Sequence, residues 1–247
     1  MEKSHQFGLI GKNISYSFSK TYFSKKFEDN NLVDYSYENF DIQNIEEFPQ
    51  IIKSNPNLKG LNVTIPYKET VIPFLDKLSE KALKIGAVNT IKFTKKGKLK
   101  GYNTDYYGFQ KSLKPLLEGH HKKALILGTG GASKAVAFAL EQLGILYTFV
   151  SREATENTID YNRINATTFD NYQIIINCTP LGTSPNVAVC PDLPYENFTS
   201  KHIAFDLIYN PEETLFLQKA KQNGAVIKNG MEMLVFQAEK SWKIWNK

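Results

Sequence analysis

Residues 124–133 read Ala124-Leu125-Ile126-Leu127-Gly128-Thr129-Gly130-Gly131-Ala132-Ser133, an apolar run that stops abruptly at a cluster of glycines. Four apolar residues bounded by a glycine turn suit a strand buried on both faces. The next stretch, Gly131 to Leu143, brings Val136, Ala139, Leu140 and Leu143 onto one helical face, and Gly144 stands where a C-terminal cap belongs. Strand, glycine turn and helix make a βα unit. Its glycines let the backbone bend tightly and approach a pyrophosphate, whose charge would meet the unpaired N–H groups of the helix N-terminus. Ser133 breaks the G-x-G-x-x-G spacing at its third position, yet it is small enough for close helix packing.

Outward from this unit, apolar runs alternate with helical patterns, the mark of an α/β fold with a largely parallel sheet. Strands are expected at His5–Ile10, Tyr35–Phe40, Leu58–Val63, Val88–Phe93, Ala124–Gly128, Leu146–Val150, Ile174–Asn177 and Ile203–Phe205. A seam falls near residue 103, where a Lys-rich hairpin (Lys95, Lys96, Lys98, Lys100 around Gly97) closes one unit and Asn103-Thr104-Asp105 can cap a new helix. Two α/β domains follow from it. The chain ends in a helix whose apolar stripe is Met231, Leu234, Val235, Ala238, Trp242 and Trp245, and this helix should pack against a core.

Composition narrows the function. The 247 residues carry 30 basic and 25 acidic side chains, a formal charge of +5, with 42% hydrophobic and 22% charged residues, as in an ordinary globular protein. No apolar stretch is long enough to span a membrane and the start has no signal-peptide core, so the expected location is cytoplasmic. Cys178 and Cys190 form no CxxC pair and the four histidines no HExxH, so no metal is expected. The scattered lysines make no nucleic-acid stripe. A small-molecule substrate is expected, with the assembly open between monomer and homodimer.

The strand after the glycine helix ends in Val150-Ser151-Arg152. An NAD site usually offers an acid there to the ribose hydroxyls. An Arg can instead pair with a 2′-phosphate and favours NADP, although Glu153 and Glu156 bring negative charge to the same loop and leave NAD open. In the first half, Asn62-Val63-Thr64-Ile65-Pro66-Tyr67-Lys68 reads as a strand end, a turn and a helix start. Gly86-Ala-Val-Asn89-Thr90 and Gly101-Tyr-Asn103-Thr104-Asp105-Tyr-Tyr-Gly108 repeat the pattern of Asn, Thr and charge at strand ends, where α/β proteins gather ligand contacts.

These motifs, taken with Gly8-Leu-Ile-Gly11, Ser17-Phe18-Ser19, Asn177-Cys-Thr179-Pro-Leu-Gly-Thr183, Asp206-Leu-Ile-Tyr209-Asn-Pro211 and Asn229-Gly230-Met231, occur in an order that resembles the shikimate dehydrogenases along nearly the whole chain. The resemblance implies an N-terminal α/β substrate domain, residues 1–102 completed by a returning last helix at 231–247, and a Rossmann-type dinucleotide-binding domain at 103–230. It implies NADP-dependent interconversion of 3-dehydroshikimate and shikimate in the pathway to aromatic amino acids. Lys68 and Asp105 would form the catalytic pair. Ser17 and Ser19 would hold the substrate carboxylate, Thr64, Asn89 and Gln237 would bond its hydroxyls, and Tyr209 would line the site. Gly128, Thr129, Gly130, Gly131, Ala132, Ser151, Arg152, Thr179 and Gly230 would hold the cofactor. Where the family usually shows His-Ser-x-Ser-Pro, this chain has Tyr16-Ser17-Phe18-Ser19-Lys20. Two rivals remain on the same scaffold: a quinate/shikimate dehydrogenase using NAD, and a non-catalytic dinucleotide or metabolite sensor.

Overall fold

The structure, a computed structural model, describes residues 4–15 and 17–247. The chain divides into two compact units: one runs to Thr104 and takes up Ala238–Lys247, the other is Asp105–Gln237. Among the described residues no helix is long and apolar enough to cross a membrane.

The first unit is built on β1 (His5–Gly11), α1 (Phe18–Asp29), β2 (Tyr35–Asp41), α2 (Phe48–Ser54), β3 (Leu58–Val63), α3 (Tyr67–Thr70), β4 (Lys77–Leu78), α4 (Glu80–Ile85), β5 (Thr90–Phe93) and β6 (Leu99–Tyr102). Its sheet runs β2-β1-β3-β5-β6-β4, parallel through β2, β1 and β3 and antiparallel from β3 to β5 and β5 to β6. Alternation along β1 sends Phe7 and Leu9 to one core and Ile10 to the other, so both faces of the sheet are covered. The core on the Phe7 side is aromatic. Phe23, Phe27 and Tyr37 gather there with Trp245, which donates its indole N–H to the Ile91 carbonyl at 3.0 Å. The indole lies where a side chain at residue 60 would be, 2.2 Å from a Cβ built on Gly60, so only glycine fits beneath it.

The second unit carries α5 (Asp105–Leu113), β7 (Lys123–Leu127), α6 (Gly131–Gln142), β8 (Leu146–Ser151), β9 (Thr158–Asp160), α7 (Ala166–Asn171), β10 (Ile174–Asn177), β11 (Ile203–Asp206), α8 (Leu215–Gln222), β12 (Val226–Lys228) and α9 (Met231–Trp245), whose last residues belong to the first unit. Its six strands are all parallel and ordered β9-β8-β7-β10-β11-β12. Taken in chain order this is 3-2-1-4-5-6, the doubly wound dinucleotide-binding arrangement, whose switch point lies between β7 and β10. The apolar run quoted first is one of its central strands, with Ala124, Leu125, Ile126 and Leu127 all fully buried.

Four strands were not foreseen: β4, β6, β9 and β12 have two to four residues each, too short to show a period of two. The strand expected from Val88 begins at Thr90, because the Val88 amide bonds to the Lys68 carbonyl instead. The Lys-rich segment is the tip of the β5–β6 hairpin, where Gly97 takes φ +70°. The buried stripe of α9 also differs from the apolar one. Met231 is exposed, while Met233, Gln237, Ala238, Ser241 and Trp245 are buried, so two polar residues lie on the packed face.

Candidate active site

In the first unit, Ser17 caps α1 by accepting the Lys20 amide at 3.4 Å, which leaves its own proton to offer an anion. Ser19, two residues on, is buried and hydrogen-bonded to the Tyr37 hydroxyl. Tyr16, at the head of that motif, lies outside the described residues. Lys20 pairs with Glu38 at 2.8 Å, so its charge is answered on the surface. Thr64 closes the turn after β3: its amide bonds to Ile10 and its carbonyl accepts from Tyr67. Tyr67 is buried and donates its hydroxyl to the Ile42 carbonyl at 2.7 Å. That anchor fixes the short turn of α3 on which the half-buried Lys68 stands, and the Lys68 carbonyl receives the Val88 amide at 2.7 Å. The loop carrying Asn89 is therefore tied to the one carrying Lys68.

Asn89 sits in a buried polar cluster. Its Oδ1 accepts the Thr104 amide at 2.7 Å and the Thr90 hydroxyl at 3.0 Å, and its Nδ2 donates to Thr104 Oγ1 at 3.0 Å. Asn62, Thr90, Thr104 and Ser241 complete the cluster, and Tyr37 joins it by donating to Asn62 Oδ1 at 2.8 Å. Sequence reading gave no role to Tyr37, Asn62, Thr90 or Ser241. A buried polar residue inside an apolar strand, such as Asn62 between Leu61 and Val63, is the signal that could have found them.

In the second unit, Gly128 takes φ +102°, and a Cβ there would stand 3.2 Å from Thr179 Cγ2, so the loops after β7 and β10 meet at the switch point. The positive φ is what calls for glycine here. Gly130 is the N-cap of α6 in extended backbone, and a Cβ on it would meet nothing within 4 Å, so this side of the loop is open. Gly131 and Ala132 open the helix, and Ser133, fully buried, donates to the Gly130 carbonyl at 2.6 Å. Thr129 is exposed. Thr179 is held from behind: its amide and hydroxyl both donate to Asn177 Oδ1, at 3.0 and 2.7 Å. Asn177 in turn donates to Asp206 Oδ1 at 3.1 Å, and Asp206 also accepts the Ile208 amide and, at 2.6 Å, the Thr214 hydroxyl. Burial pushes the Asp206 carboxyl up to about 6 against these hydrogen bonds.

The other expected residues of this unit divide by environment. Asp105 is buried at the first position of α5, and Gln237 is buried on α9 where that helix crosses Gly108; a Cβ there would stand 2.3 Å from the Met233 carbonyl. Tyr209 is half-buried just past β11. Gly230 packs so closely on Leu207, whose carbonyl oxygen would be 2.1 Å from a Cβ, that its glycine has a packing reason of its own. Ser151 donates to the Glu153 carbonyl, so its hydroxyl is spent inside its own loop. Arg152 is exposed at the tip of β8. An open glycine loop at a helix of 12 residues, with no acid at the strand end, fits a dinucleotide bearing an extra phosphate.

A sequence profile described as the shikimate dehydrogenase substrate binding domain matches residues 9–91. The NADP+-dependent shikimate dehydrogenase of Methanosphaera stadtmanae is 39% identical over an alignment that covers 96% of this chain and 90% of that one. The chain belongs to the shikimate dehydrogenase family. It is an oxidoreductase. The crystal structure of shikimate dehydrogenase 1 from Peptoclostridium difficile superposes with a TM-score of 0.85 at 39% identity, covering 98% of this chain and 91% of that one. The shikimate dehydrogenase of Thermus thermophilus, solved with NADP(H) and shikimate, gives a TM-score of 0.85 at 31% identity, covering 98% and 93%.

Proposed function

We propose that this chain catalyses the NADP-dependent interconversion of 3-dehydroshikimate and shikimate, with Lys68 and Asp105 as the catalytic pair. The observation that carries the reading is Lys68 on a turn locked by Tyr67 and tied through Val88 to the loop of Asn89, in a chain 39% identical to an NADP+-dependent shikimate dehydrogenase. NADPH, when bound, supplies the hydride. The Lys68 ammonium stabilises the charge that develops on the ketone oxygen and gives it the proton, so that the product hydroxyl forms without a free alkoxide. Asp105 orients that exchange. Ser17 and Ser19 hold the carboxylate, Thr64, Asn89 and Gln237 bond ring hydroxyls, and Tyr209 lines the site. On the cofactor side, Gly128, Thr129, Gly130, Gly131 and Ala132 form the phosphate loop. Ser151, Arg152, Thr179 and Gly230 flank it, with Arg152 the residue that answers a 2′-phosphate.

On this reading residues 1–102, completed by 231–247, form the substrate domain and 103–230 the cofactor domain, while the compact units divide at Thr104 and, within α9, at Gln237. The test is turnover with shikimate and quinate, each with NADP and NAD, in the parent and in Lys68→Ala. Shikimate with NADP should be preferred, and Lys68→Ala should lower kcat by ~100-fold or more while substrate still binds. Near-parental kcat would remove Lys68 from the mechanism.

A further inference from the structure

Three hydroxyls, from Thr90, Thr104 and Ser241, form a closed triangle in the first unit, with oxygens 3.2, 2.8 and 3.1 Å apart. Asn62 lies on one side of it and Asn89 on the other. Backbone groups on either side of the triangle fix which atom of each flanking amide faces it. Asn62 Nδ2 donates to the backbone carbonyl of Asn89 at 3.1 Å, and a carbonyl only accepts, so the same Nδ2 is also the donor into Ser241 at 3.1 Å and Thr90 at 3.3 Å. At the far end the Thr104 backbone N–H can only donate, so the atom it meets is Asn89 Oδ1. The Thr90 proton therefore points at Asn89, and the amide of Asn89 is held with its oxygen inward.

We propose that Ser241 and Thr90 are positioning residues that orient Asn89 to act on a substrate hydroxyl as a donor through Nδ2. Ser241 comes from α9, far in sequence from Asn89, and is fully buried, as are Thr90 and Thr104. A hydroxyl placed at the centre of a packed face costs desolvation unless it is bonded, and that of Ser241 meets Asn62, Thr90 and Thr104. The proposal rests on the reading of Asn89 as a substrate residue, and it adds that Ser241, itself out of reach of substrate, sets substrate affinity from α9.

The experiment is steady-state kinetics of Ser241→Ala, Asn89→Ala and the double variant on the full chain, with thermal melts alongside. Ser241→Ala should raise KM for shikimate about threefold to tenfold, the scale of one lost hydrogen bond, with kcat changed less than about twofold and KM for NADP unchanged. In the Asn89→Ala background the same substitution should change KM no further. Thr90→Val repeats the test from the sheet and should give the same pattern if Ser241→Ala proves too unstable to assay. Equal effects of Ser241→Ala with and without Asn89, or no change in KM at all, would overturn the proposal. An unchanged KM in Asn89→Ala would remove the substrate role of Asn89 and this proposal with it, and that outcome is distinct because the Ser241 comparison is not needed to see it.

Discussion

The two units hold Asn89 and Thr179, the side chains proposed to face substrate and cofactor, in opposite ways. In the first, Asn89 is fixed by a neutral cluster of hydroxyls and amides in which backbone groups set the orientation of both amides. In the second, Thr179 is fixed through Asn177 by a buried carboxylate, Asp206, that only accepts. A carboxylate binds its donors more strongly than a hydroxyl does, but it brings a proton equilibrium into the core. The neutral cluster gives up strength for indifference to pH.

The comparison breaks most directly at Asn62. Asn62→Ala strips the donor from the Asn89 carbonyl and two hydroxyls and the acceptor from Tyr37, and should destabilise the protein by roughly 3 kcal/mol or more. The loss should be the same at pH 5 and pH 8, because Tyr37, which donates to Asn62, is pushed by burial far above that range. Denaturant titrations at the two pH values would show it, and a pH-dependent loss would mean that a charged group reaches the cluster.

Asp206 should behave in the contrary way. Its folded-state value of about 6, against an ordinary 3.8, means that the folded protein binds this proton more tightly than the unfolded chain. Stability tied to the protonated form is therefore complete below about pH 4 and is lost as the pH rises through 6, a swing of about 3 kcal/mol. Asp206→Asn removes the titration, so unfolding free energies of parent and variant should diverge between pH 4 and 7. A constant difference would place the cost of burial elsewhere.

Smaller effects lie at the exposed rim of the second unit. Arg152→Ala should weaken NADP binding by roughly tenfold to a hundredfold and leave NAD nearly unchanged. Glu153→Ala, which removes a like charge from beside a 2′-phosphate, should shift preference further towards NADP by a few-fold at low salt and less at high salt. Both are read from kcat/KM with each cofactor, and equal losses for NAD and NADP in Arg152→Ala would mean that the Arg does not read the phosphate.

The same contrast explains what could be read from the chain. The central strand at Ala124–Leu127, its glycine turn and α6 were legible because apolar periodicity and glycine placement act over adjacent residues. Gly144 takes the left-handed φ of +70° that a helix end asks for, as its position implied. The buried face of α9 was not legible in full: Gln237 and Ser241 both sit inside, and Ser241 does so because partners distant in sequence satisfy it, which no local pattern announces. Asp206 and Asn177 were visible as parts of motifs, but their use of one another appears only when β10 and β11 lie side by side.

Trp245, seated on Gly60 and bonded to Ile91, bears on how the chain is made. A ribosome delivers residues 5–104 long before residues 238–247, so the aromatic core around Phe7 and Phe23 waits, one wall missing, while the continuous segment from Asp105 to Gln237 emerges and gathers its own parallel sheet. The first part to be synthesised is thus the last to be finished, and a stall in translation within the final helix would leave an exposed aromatic face as the molecule's most vulnerable surface.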